Sequence, residues 1–472
     1  MRCSCNFIPI YLLQRRYGSK KCKKVIYIEK HMSARVTSSD KIEDMFPETP
    51  VRKIITPIER LMKVETTGGI VLIIMTLAAL IWANLSPSSY EHFWHLPFVV
   101  TIGSWVGTGD LHWFINDALM TIFFFNIGLE VKGEMTYGEL RDPKAASLPI
   151  IAAAGGMLFP ALIYLALCPP GTSHGWGIPT ATDIAFVVGC MAILGKKVPH
   201  ALRVMILTLA IADDIGAILV IAIGYPSGDG INFSALGMAF VLLALFNVFF
   251  RIGVRNMLLL HFTGIAVWAF FVKSGVHPTI AGVLLGLSVP AKAVVAKGVV
   301  AQFASGVGNV LSGETKDRNE QYEVFTMLKR GASESVSLQE RLYKMLVPWV
   351  NFGIMPIFAL ANAGVEIKLG GLDVPVLGAV ALALIFGKPI GIFLFSLLSV
   401  KIGVSKKPSY SWKVLWGGGM LAGIGFTMAL FVAGLAFEDG ANKDSAKLGI
   451  LLGSFSAAIL GTIYMSIVSK KE

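Results

Sequence analysis

The sequence contains little charge for its length. Only 15% of its 472 residues are Asp, Glu, Lys or Arg, whereas 54% are hydrophobic and the mean hydropathy is +0.67. Soluble globular domains carry about 25% charged residues. The composition therefore excludes an ordinary soluble protein and predicts a polytopic membrane protein.

Cysteine is also scarce. The five cysteines show no spacing typical of metal ligands, and one of them, Cys190, falls inside a long apolar segment. A disulfide framework and a cysteine-based metal centre are both excluded on these grounds. We expect the protein to carry no cofactor.

Twelve apolar segments have the length of membrane spans. About 20 residues cross the roughly 30 Å of hydrocarbon in a bilayer, which predicts an all-α fold of about twelve transmembrane helices. The predicted spans are 65–85, 113–134, 145–167, 175–195, 201–224, 232–250, 256–272, 275–290, 345–364, 376–400, 414–437 and 446–468.

The parts outside the spans complete the predicted domain organisation. Residues 1–63 are expected to form a cytoplasmic N-terminal extension, in which the helical spacing of apolar residues over 51–65 predicts an amphipathic helix on the membrane surface. Residues 64–290 hold spans one to eight, 291–344 form a cytoplasmic insertion with helical pieces after Asp317, and 345–469 hold spans nine to twelve.

Lysine and arginine predict the orientation, because short cytoplasmic loops carry an excess of both. Alternate loops are basic, whereas the loops between them hold only Lys273, Lys368, Lys443 and Lys447. Both termini are therefore expected in the cytoplasm. Since the net charge of +11 follows membrane sidedness, it does not indicate nucleic-acid binding.

Two adjacent aspartates, Asp213 and Asp214, lie midway along the fifth span with no basic residue near them in sequence. One aspartate at the centre of a membrane helix costs roughly 2.5–3.5 kcal/mol on insertion scales. That cost indicates an aqueous cavity, a proton or a cation at this position. The pair therefore predicts ion transport.

One lysine, Lys388, lies within the apolar run 379–400 and needs an acidic partner in the membrane. The sequence leaves several partners open. The acidic residues available in the spans are Asp117, Glu130, Glu134, Asp183, Asp213 and Asp214.

Two spans contain residues that interrupt helices. The fourth holds two glycines and Pro179 ahead of Asp183, and the eleventh runs through five glycines between Gly417 and Gly425. Unwound backbone at mid-depth is tolerated only where it is buried or lines a cavity. Asp183 near one break and Lys388 near the other are expected to balance the helix dipoles. Gly-rich packing sites are the alternative interpretation.

The chain resembles bacterial sodium/proton antiporters of the NhaA type. The motifs are NDALM at 116–120, GLEVK at 128–132, PTATDIAF at 179–186, ADDIGA at 212–217, KSGVH at 273–277, GKP at 387–389 and GIGFTM at 423–428. The resemblance implies inverted-topology repeats, spans three to five and ten to twelve, with two unwound helices that cross near the midplane.

The resemblance also implies roles for individual residues. Asp213 and Asp214 would bind Na⁺ or Li⁺ and protons, and Lys388 would pair with Asp213. Thr182 and Asp183 would belong to the unwound crossing. Asp117 would support the site, and Glu130 with Glu134 would line a cytoplasmic entrance.

The activity implied is that of a secondary transporter, not an enzyme. It would export Na⁺ or Li⁺ in exchange for H⁺ by electrogenic alternating access, and would serve pH and sodium homeostasis from the bacterial cytoplasmic (inner) membrane. The stretch 97–112 has β-rich halves and resembles the family's dimerising hairpin, which implies a homodimer.

Three other activities and one departure stay open. An intramembrane aspartyl protease uses two aspartates on separate helices, but its Gly-x-Gly-Asp context is absent. The other two activities are a proton-coupled carrier of organic anions and a channel.

The departure concerns the start of the ninth span. Family members often carry acidic and histidine residues there, where this chain has Tyr343, Lys344 and Val347. The origin of any pH sensing is therefore open.

Overall fold

The computed structural model describes residues 65–102, 105–225, 230–254, 257–293, 318–367, 372–438 and 440–469. The predicted amphipathic helix of the N-terminal extension lies outside these ranges, as does the part of the insertion between 294 and 317.

Helices make up nearly all of the described residues. Fifteen of them are numbered here along the chain: α1 Glu65–Leu85, α2 Pro87–Trp94, α3 Leu111–Tyr137, α4 Pro143–Leu167, α5 Ile184–Leu194, α6 His200–Gly224, α7 Phe233–Arg251, α8 Met257–Ser274, α9 Thr279–Ser288, α10 Arg318–Glu334, α11 Leu338–Asn362, α12 Val374–Ile402, α13 Trp412–Ala422, α14 Phe426–Ala436 and α15 Ala441–Val468. Short 3₁₀ helices cover Ser173–Thr180, Glu139–Arg141 and Gly195–Lys197.

The helices fit a polytopic membrane protein. Within the described residues, nine segments are long and apolar enough to cross a membrane, or ten when the bent pair of α13 and α14 counts as one span. Two further helices, α8 and α9, are apolar but shorter. The predicted membrane class is thus confirmed, while the count of twelve spans stays a prediction.

A two-stranded sheet accompanies the helices, as expected for the stretch 97–112. Strand β1, Pro97–Ile102, pairs antiparallel with β2, Trp105–Asp110, with Ile102 opposite Trp105 at the closed end. Their β-branched and aromatic residues favour extended backbone. The hairpin predicted over 97–112 is confirmed, and Asp110 accepts a 2.6 Å hydrogen bond from the backbone N–H of Trp113 where α3 begins.

Helix α11 begins seven residues before the predicted start of the ninth span at Met345. Ser337 caps it, since its hydroxyl accepts a hydrogen bond from the backbone N–H of Glu340 at 3.2 Å. Such a cap supplies an acceptor for the first turn of a helix. The polar first turns of α11 therefore belong to the helix, and the expected helical piece after Asp317 is α10.

Three long helices contain a π-helical stretch, at Phe114–Leu119 in α3, Val350–Ile354 in α11 and Ala383–Gly387 in α12. Such bulges are frequent at functional sites. Asp117 lies within the first stretch, and Lys388 follows the third directly.

Glycines bring helix backbones into close contact. A side chain at Gly155 of α4 would collide with the carbonyl of Gly391 in α12, and one at Gly391 would collide with the carbonyl of Gly155. Gly128 of α3 packs in the same way on Val283 and Gly286 of α9. Small residues at such crossings are typical of membrane helices. The α4–α12 contact joins the first helix of each predicted repeat.

Candidate functional site

The two interrupted spans touch each other at their breaks. The predicted fourth span contains the first break, at residues 181–183, between the 3₁₀ helix Ser173–Thr180 and α5. The predicted eleventh span contains the second break, where the chain bends by 50° at residues 423–425 between α13 and α14. The backbone N–H of Asp183 donates to the carbonyl of Ile424 at 2.8 Å, so each break supplies a hydrogen-bond partner to the other.

Local sequence explains why both helices stop. Pro179 has no backbone N–H and lies in the 3₁₀ segment before the first break. At the second break, a side chain on Gly423 would collide with the carbonyl of Leu384, so the close approach there requires glycine. Phe426 begins the next helix with a φ of 21°, and its N–H donates to Ser454 at 3.0 Å.

Asp183 lies at the N-termini of two half-helices. Its Oδ1 accepts from the N–H of Phe186 at 3.1 Å, in the first turn of α5. Its Oδ2 accepts from the N–H and hydroxyl of Thr427 at 3.2 and 2.5 Å, in the first turn of α14. Helix N-termini carry partial positive charge. The carboxylate is therefore held by three neutral donors and by the dipoles of both helices.

Lys388 pairs with Asp213. Its Nζ lies 2.7 Å from Asp213 Oδ2 and 2.5 Å from the hydroxyl oxygen of Thr182, and the side chains of Lys388 and Asp213 are fully buried. Thr182 Oγ1 also lies 2.8 Å from Asp213 Oδ2 and 3.2 Å from the carbonyl of Ala422 at the end of α13. Of the six acidic residues left open by the sequence, Asp213 is thus the one in contact with the lysine.

The two charges are not divided between the breaks as expected. Asp183 contacts both breaks, through the N–H of Phe186 at the first and through Thr427 at the second. Lys388 was expected beside the second break, but it contacts Thr182 in the first. The reason is that the breaks touch, so a charge near one is near both.

Asp214 differs from its neighbour. It is 4% exposed and makes no hydrogen bond or ion pair with any of the described residues. Consecutive residues on an α-helix point about 100° apart, which explains how Asp213 faces Lys388 while Asp214 does not. Asp213 Oδ1 is buried and also lacks a partner in the described part of the chain.

A cavity of about 740 Å³ opens between the end of α3 and the start of α6. Glu134 and Tyr137 line it from α3, and Val204, Thr208 and Ile211 line it from α6. These α6 residues recur at helical spacing, and the same face continues to Asp214 one turn beyond Ile211. The cavity therefore follows the face of α6 that leads to the free carboxylate.

The two glutamates of α3 connect this cavity with the site. Glu134 accepts a 3.1 Å hydrogen bond from the N–H of Glu139 at the cavity rim. Glu130 lies one turn deeper, is hydrogen-bonded to Tyr343, and interacts electrostatically with Asp214. The structure thus brings Glu130 and Glu134 to the same side as Asp214.

Asp117 lies apart from these residues. It precedes Glu130 by thirteen residues, or about 20 Å along the helix, and its Oδ1 lies 3.9 Å from Nε2 of His277. His277 is buried and its Nδ1 lies 2.8 Å from the hydroxyl of Thr279. Asp117 therefore faces a histidine and not the Asp213–Lys388 pair.

Sequence reasoning gives no role to Thr427, which binds Asp183. A signal for it exists, because a threonine that directly follows a helix break is well placed to satisfy a carboxylate or a free backbone group there. Tyr343 was noted only as a departure, yet it contacts Glu130.

Comparisons with known proteins agree on one family. A family model described as "Na+/H+ antiporter 1" matches residues 59–465. A protein named Na(+)/H(+) antiporter NhaA from Rhodopirellula baltica is 46% identical over 421 residues, which cover 88% of this chain and 94% of that protein. Na(+)/H(+) antiporter NhaA 2 from Sorangium cellulosum is 47% identical over 426 residues, with 87% and 89% covered.

A third relative, Na(+)/H(+) antiporter NhaA 2 from Vibrio vulnificus, is 42% identical over 425 residues, with 88% of this chain and 93% of the relative covered. Among solved structures, the sodium proton antiporter MjNhaP1 from Methanocaldococcus jannaschii matches at a TM-score of 0.38 and 14% identity, over 88% of this chain and 98% of that chain. That likeness is too distant to bear on the site.

Proposed function

This chain belongs to the Na+/H+ antiporter 1 family, and on that premise we propose that it exports Na⁺ or Li⁺ in exchange for H⁺ by electrogenic alternating access. The observation that carries the proposal is Asp214, a nearly buried carboxylate without a partner among the described residues, beside the fully buried Asp213–Lys388 pair. A free carboxylate at this depth is costly unless it binds an ion.

The exchange rests on competition for the same oxygen atoms. A carboxylate binds either a proton or a hard cation such as Na⁺ or Li⁺, which prefer oxygen ligands. In the proposal, Asp214 is the first ligand of the cation. A site that changes its access only when loaded then couples the outward movement of Na⁺ to the inward movement of H⁺.

The Asp213–Lys388 pair supplies the second half of the cycle. When a cation reaches Asp214, Asp213 joins as a ligand and releases Lys388, and Thr182, which contacts both, contributes its hydroxyl oxygen. The interacting groups titrate as a coupled set. Two carboxylates and one lysine provide for more protons entering than sodium ions leaving, which makes the exchange electrogenic.

Alternating access is assigned to the contact between the two breaks. The units α4–α6 and α12–α15 each have an interrupted central span, and we propose that they are inverted repeats that move around Asp183 and Thr182. The proposal includes twelve spans with both termini in the cytoplasm of a bacterial inner membrane. Glu130 and Glu134 form its cytoplasmic entrance, and Asp117 supports the site from the other end of α3.

The β1–β2 hairpin is proposed to join two copies of the chain. Its antiparallel strands connect α2 to α3 along the chain, and an antiparallel pair has two edges with free backbone groups. Crosslinking of cysteines introduced at Val99 in native membranes is expected to trap a dimer. Recovery of monomer alone would remove the homodimer from the proposal.

The test of the function is sodium-induced collapse of a proton gradient in everted vesicles from antiporter-deficient cells that express this chain. Collapse on addition of Na⁺ or Li⁺, and no collapse with choline, would support exchange. Absence of any response to Na⁺ or Li⁺ across the pH range would overturn the proposal and favour an organic-anion carrier. A single-ion conductance without proton coupling would favour a channel.

A further inference from the structure

A buried amide lies on α3, one helical turn from Glu130. Asn126 of α3 is 6% exposed, and its Oδ1 has no hydrogen-bond partner in the described part of the chain. A buried polar atom without a partner costs free energy, and nearly all such atoms in native proteins are satisfied. An unpartnered buried oxygen in a transporter therefore requires an explanation.

Helix geometry places Asn126 on the face of α3 that carries the entrance glutamates. Asn126, Glu130 and Glu134 are spaced four residues apart and so lie on one side of the helix. Gly128, two residues from Asn126 and therefore on nearly the opposite side, packs against Val283 and Gly286 of α9. The amide thus faces away from α9.

Asn126 lies deeper than the cavity, as Asp214 does. It lies four residues beyond Glu130, about 6 Å further from the cavity along α3. On α6, Asp214 lies one turn beyond Ile211, which still lines the cavity. Glu130 interacts electrostatically with Asp214, and Asn126 is the next residue on the same face of α3.

We infer that Asn126 is a cation ligand, whose amide oxygen receives Na⁺ or Li⁺ between Glu130 and Asp214. The inference rests on the proposed function and deepens it. An amide oxygen binds a hard cation, but a neutral amide takes up no proton in the range in which carboxylates titrate. Asn126 therefore affects the binding of the cation and leaves the uptake and release of protons by the carboxylates unchanged.

An effect on cation binding without an effect on protonation can be measured directly. Exchange is measured in everted vesicles for wild type, Asn126→Leu and Asn126→Asp, as a function of Na⁺ concentration and of pH. Asn126→Leu is expected to raise the apparent KM for Na⁺ about fivefold or more, the size typical of one lost polar contact. At saturating Na⁺, its pH profile should match that of wild type. Asn126→Asp keeps an oxygen and should keep a low KM.

A matched control is Asn247→Leu on α7. Asn247 Nδ2 donates to the carbonyl of Leu243 at 2.9 Å and to the hydroxyl of Ser288 at 3.0 Å, so this amide is also part of a helix interface. Its helix α7 packs with α8 and α9 in a separate, smaller hydrophobic cluster. Its substitution should leave the apparent KM for Na⁺ unchanged, whatever it does to the amount of folded protein.

The possible outcomes distinguish failure of the ligand role of Asn126 from failure of the proposed antiport. An unchanged KM in Asn126→Leu, with wild-type exchange intact, overturns the ligand role and leaves antiport standing. Equal loss of maximal rate in Asn126→Leu and Asn126→Asp at unchanged KM also overturns it, because it indicates a packing role. Absence of exchange in wild type overturns the proposed function and the inference together.

Discussion

Asp213 and Asp214 divide the site into a paired side and an open side. On the paired side, Asp213 contacts Lys388 and Thr182 and is fully buried. On the open side, Asp214 touches no polar partner among the described residues and lies on the helix face that continues to the cavity. One peptide bond therefore separates a carboxylate held by a lysine from a carboxylate available to an ion.

The environment of each carboxylate, not its residue type, therefore decides which groups it contacts. Neighbouring side chains on α6 point about 100° apart, so one faces α12 and the break at Thr182 while the other lies on the face that continues to the cavity. A buried ion pair contributes less to stability than its contacts suggest. In the proposed mechanism the paired side is therefore a reserve ligand, because Lys388 holds Asp213 until a cation displaces it.

The largest effect is expected when the open side is neutralised. Asp214→Asn should abolish Na⁺-dependent proton exchange, because an amide cannot exchange a proton for a cation. The protein should stay folded, since Asp214 makes no hydrogen bond or ion pair with the described residues and asparagine has nearly the same shape. Proton-gradient collapse in vesicles and thermal unfolding in detergent measure the two parts.

The matched control is Asp373→Asn. Asp373 caps α12 by accepting from the N–H of Val376 at 3.2 Å, and asparagine caps helices equally well. This variant should keep both stability and exchange. Sodium-dependent exchange in Asp214→Asn at the wild-type rate would show that the open side does not bind the ion.

Loss of the lysine should damage the paired side in both stability and activity. Lys388→Ala leaves Asp213 buried without its partner, which typically costs about 3–5 kcal/mol of unfolding free energy. A lower thermal midpoint and weaker exchange are expected. Lys413→Ala, which removes an exposed lysine, should change neither.

A double variant sharpens this prediction. Asp213→Asn together with Lys388→Ala removes both charges and should be more stable than Lys388→Ala alone, because no buried charge is then left unpaired. If wild type and Lys388→Ala were equally stable, the ion pair between Lys388 and Asp213 would not contribute to stability despite its short distance, and the prediction would be wrong.

Substitution of two threonines tests whether the Asp213–Lys388 pair or the contact of Asp183 with the second break contributes more to stability and to Na⁺ binding. Thr182→Val removes the hydroxyl shared by Lys388 and Asp213, at a cost of about 1.5–3 kcal/mol for hydrogen bonds to charged groups. Thr427→Val leaves Asp183 with two backbone donors and should cost less. Thermal midpoints and the KM for Na⁺ should both rank Thr182→Val as the more affected, and the reverse order would place the critical contact at Asp183.

Hydropathy was enough to predict a polytopic membrane protein, and the free-energy cost of a charge inside an apolar run was enough to single out Asp213, Asp214 and Lys388. Both signals are local, because an apolar run and a charge inside it are visible without knowing any neighbour. The hairpin was visible for the same reason, from β-branched residues on either side of a turn. The start of α11 at Leu338 was missed, since a polar first turn capped by Ser337 has no apolar signal.

The choice of partners depended on packing that one chain's sequence does not display. From the residues alone Lys388 had six acidic candidates, and only the resemblance to the NhaA family singled out Asp213. The contact itself follows from the rotation and crossing of α12, which approaches α4 at Gly155 and Gly391. The same is true of Asn126, whose significance comes from an unpartnered oxygen, and of the contact between the two breaks. Periodicity predicts helices, but not which faces meet.

The smallest effect is expected at the rim of the cavity. Glu134 lies at the cavity rim, where a charge acts through attraction of cations and is screened by salt. Glu134→Gln should raise the apparent KM for Na⁺ about twofold at low ionic strength, and the difference should vanish near 0.15 M salt, where the screening length is about 8 Å. Glu438→Gln, an exposed glutamate after α14, is the control and should have no effect at either salt concentration. An effect of Glu134→Gln that persists at high salt would mean that Glu134 binds the cation directly, and the open side would then begin at the cavity rim instead of at Glu130.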